Sequence, residues 1–489
     1  MRRAWQGLTR MRTAIILLFF LAAGSAVGSL FPQRAISARS VSQWQSKNPG
    51  WTPVAEFFDL FDVYGSWWFT PIYLLLLVSL IGCLTSRYRV QLRRLRRDPH
   101  ATGDLERQER YVRARTTRSP SEVLESARSV LLRRRFKVVD IDDGVAAERG
   151  HLRESGSLLF HTSILVILLG VALGRLFGAS GQVLVVEGAT FTDTPTEYDT
   201  ISPGRFFGSR HTGFQLRLEE FDVEWFPSGI PKHFESTVTL RDADGQVIVE
   251  DEKITVNYPL RYEGRRIYQI AWGWAPVIKV EQEGRVLYDG PTVFLPNNGA
   301  WTGVAKVPGT QPQQLGLAMQ LFVDPFEGPE GGLRDRNRAP RDPVIVSQVL
   351  LGDLGLDKPQ NVYALDPAGL TRVGDSIVGI GRSDELTNGI TITFSDMVQY
   401  SVFQIGYNPG AWMLFAGAVA MLVGLIPGLY GFRRRVWLRA TTDGYMTVLE
   451  IAGHAFQRKQ AASEEFDGLV EEIDRVIGHE RALGGVKVP

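Results

Sequence analysis

The chain has 489 residues, which is room for two or three domains of ordinary size. Its formal charge is +1, from 54 basic and 53 acidic residues, and this balance excludes a globally basic nucleic-acid-binding protein and a strongly acidic solvating protein. The one cysteine, Cys83, excludes an internal disulfide framework, a CxxC redox pair and a multi-cysteine zinc or iron–sulfur site.

Four long apolar runs stand out from a chain in which 22% of the residues are charged. A helix needs ~20 apolar residues to cross the hydrocarbon core of a bilayer, and each run reaches that length within tolerance. The first run ends without a small-residue cleavage site, which favours a retained helix over a cleaved signal peptide. We therefore predict a polytopic α-helical membrane protein whose four transmembrane helices cover residues 13–31, 65–86, 155–176 and 410–431.

Basic residues near the membrane predict the orientation of these helices, because cytoplasmic loops carry an excess of Lys and Arg. Residues 87–156 hold 18 basic and 11 acidic side chains, whereas residues 178–409 hold 19 basic and 30 acidic ones. We expect a multi-pass protein of the bacterial cell membrane with both termini in the cytoplasm. The predicted cytoplasmic parts are residues 1–12, 87–154 and 432–489, and the predicted extracytoplasmic parts are the short loop 32–64 and the large segment 177–409.

The large extracytoplasmic segment has the composition of β structure, because its apolar runs are rich in β-branched and aromatic residues and partly alternate with polar ones. Asp244-Gly245 and Glu283-Gly284 stand between such runs and predict two hairpins. We expect an all-β, sandwich-like domain, interrupted by a long surface loop or mobile insertion at residues 309–343, where Pro, Gly and charged residues concentrate. The predicted strands are residues 215–225, 236–240, 247–256, 266–270, 277–280 and 390–394.

Each of the two larger cytoplasmic pieces is predicted to contain only a few secondary-structure elements. Apolar residues at helical spacing within residues 121–147 predict a short helix, and a pair of strands follows it. Residues 447–482 are predicted to form one or two amphipathic helices. Neither piece contains a phosphate-binding glycine loop or a nucleophile elbow. The sequence therefore offers no catalytic residue.

His161 is the only histidine in the four apolar runs, and it lies ~9 Å into the third one, counted from Ser155 at 1.5 Å per residue. Burying an ionisable side chain in lipid is costly unless a partner or ligand compensates. A neutral imidazole there can bind haem iron or another metal, relay protons, or hydrogen-bond a neighbouring helix and only lock the bundle. Haem in membrane cytochromes usually has two axial ligands, so the second ligand would be Met421 of the fourth helix, a residue of another subunit, or no permanent group.

The other histidines are weaker candidates. His211 and His233 lie in the extracytoplasmic segment, where haem or a metal could be received, but their isolation favours surface or turn roles. Cys83 is expected to be a small packing residue. The histidines expected to be solvated on the cytoplasmic side are His100, His151, His454 and His479.

Three pairs of glycines, four residues apart, would allow close helix contact in lipid. Two of the pairs lie near the outer ends of the first and third helices, which predicts a contact between these two helices there. The pairs are Gly24 with Gly28, Gly170 with Gly174, and Gly424 with Gly428.

Nearly the whole chain resembles the ResB family, the four-helix subunit of the System II machinery for cytochrome c maturation. Each segment that carries the resemblance is weak alone, but their order and topology together are specific. These segments are GSLFPQ at 28–33, FDVYGSWWF at 61–69, LLFH at 158–161, VNYPLRYEGRRIYQ at 256–269 and YSVFQIGYNPGAW at 400–412.

The resemblance implies a haem-handling membrane subunit that is not an enzyme by itself. Its partner would be a CcsA-type multi-helix protein, on which the catalytic haem site would largely lie. The complex would carry b-type haem in transit from the cytoplasmic side and present it to the CxxCH motif of apocytochrome c. A thioredoxin-like thiol reductant would be a further partner, and nucleic acid would not.

A transmembrane histidine of the family helps to ligate haem in transit, and His161 is the residue that fits this role. The second ligand would then come from the CcsA-type partner. The alternative is a membrane-bound sensor or signalling protein, since an extracytoplasmic β domain with four helices also fits that class. A quinone-linked redox subunit would need more fixed cofactor ligands than these histidines supply.

Overall fold

The computed structural model describes residues 2–34, 36–96, 98–100, 102, 104–142, 144–150, 152–297, 299–328, 331–358, 360–456 and 459–478. The chain divides into two compact units, one formed by residues 1–172 and 410–489 and the other by residues 173–409. In chain order the helices are α1 Arg2–Leu8, α2 Met11–Leu30, α3 Ala38–Lys47, α4 Thr52–Phe57, α5 Phe69–Arg96, α6 Pro120–Arg133, α7 Leu152–Phe177, α8 Ala411–Tyr430 and α9 Lys459–Ile477.

The strands alternate with these helices only in the first unit. In chain order they are β1 Arg110–Thr116, β2 Lys137–Ile141, β3 Gly144–Arg149, β4 Ala179–Val186, β5 Thr190–Thr192, β6 Thr200–Pro203, β7 Gln215–Trp225, β8 Pro231–Arg241, β9 Val247–Thr255, β10 Leu260–Tyr262, β11 Arg265–Gln282, β12 Arg285–Pro291, β13 Phe294–Asn297, β14 Ala300–Val307, β15 Gln314–Phe322, β16 Pro325–Glu327, β17 Leu333–Asp335, β18 Val344–Gly352, β19 Leu370–Gly379, β20 Arg382–Glu385, β21 Ile390–Tyr407, β22 Arg434–Asp443 and β23 Met446–Ala455.

Four of the helices, α2, α5, α7 and α8, are long and apolar enough to cross a membrane. Together with the β-rich second unit they confirm the expected class, a multi-pass protein with four membrane helices and a large all-β region. Helix α5 begins at Phe69, later than the expected residue 65. A 3-10 turn at Val63–Gly65 precedes it, and the Ser66 hydroxyl accepts a hydrogen bond from the Phe69 amide at 3.2 Å, as an N-terminal cap does.

The glycines pack the helices in two pairs, α2 with α5 and α7 with α8. A Cβ on Gly24 would lie 3.0 Å from ring atoms of Phe69 and Trp68, so this glycine packs against the first residue of α5 and the residue before it. A Cβ on Gly424 would lie 2.7 Å from the Phe160 amide of α7. The expected contact between the first and third helices through Gly24 is therefore wrong, since the first helix uses its glycines against the second.

Two regions distant in sequence form a small domain in the first unit. Its five-stranded antiparallel sheet has the order β1-β23-β22-β3-β2, and α6 and α9 cover one face. The helix and strand pair expected within residues 121–147 are confirmed as α6, β2 and β3. The prediction of amphipathic helix over residues 447–482 is confirmed for α9, but it is wrong for the first part of this range, which belongs to strand β23. Its Leu449 and Ala452 belong to cores on opposite faces of the sheet, and a strand buried on both faces loses the polar alternation that identifies it.

The second unit is built from antiparallel strands in the part of it that the structure describes. The main path of its 12-stranded sheet is β19-β18-β15-β14-β13-β11-β21-β4-β6, and a separate sheet has the order β5-β7-β8-β9. The four-stranded sheet packs on the β4, β11 and β21 end of the large sheet through a shared core that includes Leu216, Val238 and Phe403. This is the sandwich-like packing that the sequence predicts. A second core lies among β11, β14, β15, β18 and β21.

Both predicted hairpins are confirmed. Strand β8 turns into β9 at Asp244-Gly245, and β11 turns into β12 at Glu283-Gly284, where both residues have positive φ. Residues 266–270 and 277–280 belong to one strand, β11, with a register shift between Gln269 and Ala271. The long surface loop expected at residues 309–343 is wrong. The Pro- and Gly-rich stretches only flank β15, which contributes fully buried leucines to the core.

Candidate functional site

His161 lies on α7, where its half-buried ring is held by the helix backbone. Its Nδ1 is 2.7 Å from the carbonyl oxygen of Ser157, one turn earlier. A carbonyl oxygen can only accept a hydrogen bond, so Nδ1 is the nitrogen that carries the proton. In the neutral imidazole the lone pair is then on Nε2, which is the form that binds a metal. The backbone of α7 therefore selects the tautomer and the direction of the free nitrogen.

The helices that pack on α7 leave the His161 side of it uncovered. Helix α8 contacts Gly156, Phe160 and the Ser163 carbonyl, whereas Tyr88 of α5 hydrogen-bonds Thr162 at 2.8 Å. Successive residues of a helix are ~100° apart around its axis, which places His161 between these two contact faces on the wider side. The described contacts of α5 and α8 therefore lie on other sides of α7 than His161.

A cavity of about 660 Å³ lies between α5, α7 and α8, one helical turn from His161. This volume is within the ~300–1,000 Å³ of typical small-molecule sites. Ser157 belongs to its wall, so the residue that orients His161 also lines the cavity. The charged and amide side chains in the wall are Arg87 and Gln91 of α5 with Arg153 and Glu154 of α7, and the large apolar ones are Val90, Leu158, Phe160, Leu425 and Leu429.

The two arginines of this cavity have no carboxylate partner among the described residues. Arg153 donates from Nε to the Gly428 carbonyl at 3.3 Å, and a guanidinium nitrogen of Arg87 lies 3.1 Å from the Met11 sulfur. The one acidic residue in the wall, Glu154, lies 3.7 Å from a nitrogen of Arg433. The cavity therefore has an apolar body and two positively charged groups at one end.

Met421, the predicted alternative ligand, lies on the face of α8 that packs against α7. It stands four residues after Gly417 and three before Gly424, and both glycines contact α7. His161 is directed to a different side of α7, and its recorded contacts are with Ser157 and Phe160. The structure does not bring Met421 and His161 together, and ligation by Met421 stays a prediction.

His211, for which a surface or turn role was expected, is instead part of a buried network in the second unit. Its Nδ1 lies 2.8 Å from the Asp193 carboxylate, which also accepts from the Tyr198 hydroxyl at 2.9 Å and from the Thr212 amide at 2.8 Å. The Arg265 guanidinium lies 3.4 Å from the same carboxylate. Burial alone would raise the pKa of Asp193, but the hydrogen bonds from His211 and the others outweigh it and lower this pKa.

The remaining predicted residues lie apart from these clusters. His233 is on β8 with about half of its side chain exposed, and its Nε2 is 4.0 Å from Glu235. His454 lies 3.6 Å from Glu109, while His151 and His479 lie outside the described residues. No group of three or more His, Cys, Asp or Glu side chains in the described part of the chain could hold a metal ion.

The sequence predicts His161 as a candidate ligand but does not single out Arg87 or Arg153. Both arginines stand among many others near the ends of apolar runs, where such residues are common. Only the meeting of α5 with α7 distinguishes these two, because it places them on one cavity.

Comparison with known proteins agrees with this architecture. Residues 11–467 match the ResB-like family. Three similar curated proteins are each named cytochrome c biogenesis protein CcsB. The protein of Synechococcus elongatus is 26% identical, covering 97% of this chain and 94% of its own length. Those of a Nostoc species and of Trichormus variabilis are each 25% identical, covering 96% and 95% of this chain and 92% and 91% of their own lengths. The chain belongs to the ResB-like family.

Proposed function

We propose that this chain is a membrane subunit of a System II cytochrome c maturation complex, in which it helps to carry haem across the membrane and present it for attachment to apocytochrome c. The family match over residues 11–467 and the relatives named cytochrome c biogenesis proteins support this role. No observation favours the alternative of a membrane-bound sensor. The chain would act as an accessory subunit, with the catalytic haem site largely on a CcsA-type partner.

The observation that carries the haem role is the geometry of His161. Haem iron binds an imidazole through one ring nitrogen while the other nitrogen donates to a carbonyl or carboxylate, which fixes the ring. His161 has this arrangement, since Nδ1 donates to the Ser157 carbonyl and leaves Nε2 for iron. The haem is cargo in transit, so one ligand from this chain suffices to hold it temporarily.

The second axial ligand would come from the CcsA-type partner. Helices α2, α5 and α8 contain no histidine. Met421 shares the face of α8 that contacts α7, whereas His161 lies on the side of α7 that α5 and α8 leave uncovered. A partner helix on that side would complete the iron coordination.

The excess of basic residues in 87–156 supports an orientation with this loop and both termini in the cytoplasm and residues 177–409 outside. In this orientation the cavity between α5, α7 and α8 lies at the cytoplasmic end of the helices. Haem would then enter near Arg87 and Arg153 and leave on the opposite side. Apocytochrome c and a thioredoxin-like thiol reductant would be met outside.

Replacing His161 by Ala tests the proposal in cells that express the chain with its partner. We expect haem per purified complex and the yield of c-type cytochrome to fall at least tenfold, while insertion of the chain into the membrane is unchanged. Losing a ligand removes coordination but leaves the apolar helix intact. His454→Ala is the matched control, because this residue lies outside the membrane helices. A normal haem content in the His161 variant would contradict the proposal.

A further inference from the structure

We propose that Arg87 and Arg153 recognise the two carboxylate groups of a tetrapyrrole whose apolar ring occupies the cavity between α5, α7 and α8. This inference rests on the proposed function, since it assumes that the cargo bound near His161 is haem. It adds a second determinant of binding, one that acts on the acid groups of the ligand and is independent of its iron.

The cavity matches an amphipathic anion in its distribution of polarity. Leu158, Phe160 and Leu429 give it an apolar body, while Arg87 and Arg153 supply positive charge. Guanidinium groups bind carboxylates through paired, charge-assisted hydrogen bonds. A flat ring with two carboxylates on one edge has the complementary arrangement.

Among the described residues, Arg87 and Arg153 have no carboxylate partner, which distinguishes them from the arginines of the neighbouring sheet domain. There Arg433 and Arg435 share Glu148, and Arg134 pairs with Glu472 at 2.7 Å. Half-buried arginines beside apolar side chains lose part of their hydration, and hydrogen bonds to a carboxylate would compensate for the lost contacts with water. Glu154 does not provide this compensation, because Glu154 contacts Arg433. An arginine near the end of a membrane helix ordinarily extends its head group to the water, but these two both border the same cavity.

The positions along α7 fit one ligand that contacts both His161 and the arginines. Arg153 and His161 are eight residues apart, a rise of about 12 Å along the helix. Ser157 lies midway, in the wall of the cavity and in hydrogen-bond contact with His161. The acid groups would therefore lie at the end of the cavity remote from His161, with the iron toward His161.

Binding of metal-free protoporphyrin to the full chain in lipid nanodiscs tests the inference. This probe keeps both carboxylates but has no iron, and its dimethyl ester keeps the ring and neutralises the acid groups. We expect the wild-type chain to bind the free acid at least tenfold more tightly than the ester. Each of Arg87→Gln and Arg153→Gln should weaken binding of the acid about tenfold and leave binding of the ester unchanged, because a charged hydrogen bond contributes that much.

Arg89→Gln is the matched control, since Arg89 lies two residues from Arg87 on α5 and is exposed. It should bind the acid as the wild-type chain does. If a variant that combines Arg87→Gln with Arg153→Gln does not accumulate, the single variants decide. Arg87→Lys and Arg153→Lys keep a positive charge and should retain part of the preference for the acid. Equal affinity of the wild-type chain for acid and ester would overturn the inference.

Two further results separate this inference from the proposed function and from lipid binding. His161→Ala should lose the haem spectrum and keep its affinity for metal-free protoporphyrin. A normal haem spectrum in that variant would contradict the role of His161, and the porphyrin titration would still decide the role of the arginines. If the arginine variants bind porphyrin normally but lose co-purifying phosphatidylglycerol, the cavity is an anionic lipid site and the inference is wrong.

Discussion

His161 in the helices and His211 in the β region share one feature and differ in what surrounds it. Each has its Nδ1 in a short hydrogen bond, to the Ser157 carbonyl and to Asp193 respectively. His211 is enclosed by Tyr198 and Phe207 beside a void of only about 10 Å³, whereas His161 stands one turn from a cavity of about 660 Å³. An oriented imidazole is therefore a ligand candidate only where space for a ligand adjoins it.

The network around His211 has the properties of a structural element. Asp193 is almost completely buried, and its two oxygens accept four hydrogen bonds from His211, Tyr198 and Thr212. Arg265 supplies a positive charge at 3.4 Å. The recorded hydrogen bonds of Asp193 all come from members of this cluster, and the adjoining void of about 10 Å³ is too small for a haem-sized ligand. Arg87 and Arg153, by contrast, have no carboxylate partner among the described residues.

The largest expected effect on stability is that of Asp193→Ala. Removing the carboxylate leaves the buried Arg265 and the partly buried His211 and Thr212 without their acceptor, which costs about 3–5 kcal/mol in comparable buried ion pairs. Hydrogen exchange of β4 and β7 in the full chain should accelerate accordingly, while haem per folded complex stays normal. Asp244→Ala, at the exposed β8–β9 turn, is the control. Loss of haem without loss of protection would give this cluster the ligand role that we assign to His161.

Gly424→Ala should have an intermediate effect, because its Cβ would come 2.7 Å from the Phe160 amide and 2.8 Å from the Gly156 carbonyl oxygen. Such overpacking costs about 1–3 kcal/mol and should lower the unfolding temperature of the full chain in detergent. A Cβ on Gly428 meets nothing within 4 Å, so Gly428→Ala should be neutral apart from backbone effects. Equal losses in the two variants would contradict the packing of α8 on α7 that leaves His161 accessible.

The smallest expected effect is the pH dependence contributed by Asp193. Its pKa in the folded chain is lowered, so the unfolded chain binds more protons as the pH falls below about 4. The stability that this carboxylate contributes is thus fully present above that pH and is lost as the pH falls through the lowered folded pKa. In Asp193→Asn, the free energy of unfolding of the β region should therefore depend less on pH below about 4 than it does in the wild-type chain. An unchanged dependence of that free energy on pH would show that the hydrogen bonds do not lower the pKa of Asp193.

Local composition was sufficient for the four membrane helices, the two hairpins and the choice of His161 as a candidate, because each depends on a short stretch of sequence. Apolar length predicts the four spans, and Asp-Gly or Glu-Gly between apolar runs predicts the hairpins. Strand β23 was missed because it is buried on both faces and shows no alternation. Strand β15 was missed because breakers flank it closely on both sides.

The parts of the site that depend on tertiary contact were not predictable from one sequence. Arg87 and Arg153 become neighbours of one cavity only when α5 packs beside α7. Asp193 and Arg265 look like ordinary surface charges until the β strands bring them to His211. The isolation of His211 in the sequence therefore did not reveal its buried network, whereas the apolar run around His161 was enough to make it a ligand candidate.

The most direct test of the account is the optical spectrum of haem in the complex that contains His161→Gly, recorded before and after addition of imidazole. We predict that the variant loses the six-coordinate, low-spin spectrum and that imidazole, which can occupy the vacated space, restores it. His211→Gly, the comparison variant, should keep the wild-type spectrum. A six-coordinate spectrum in the His161 variant without imidazole would show that Nε2 of His161 does not bind the iron.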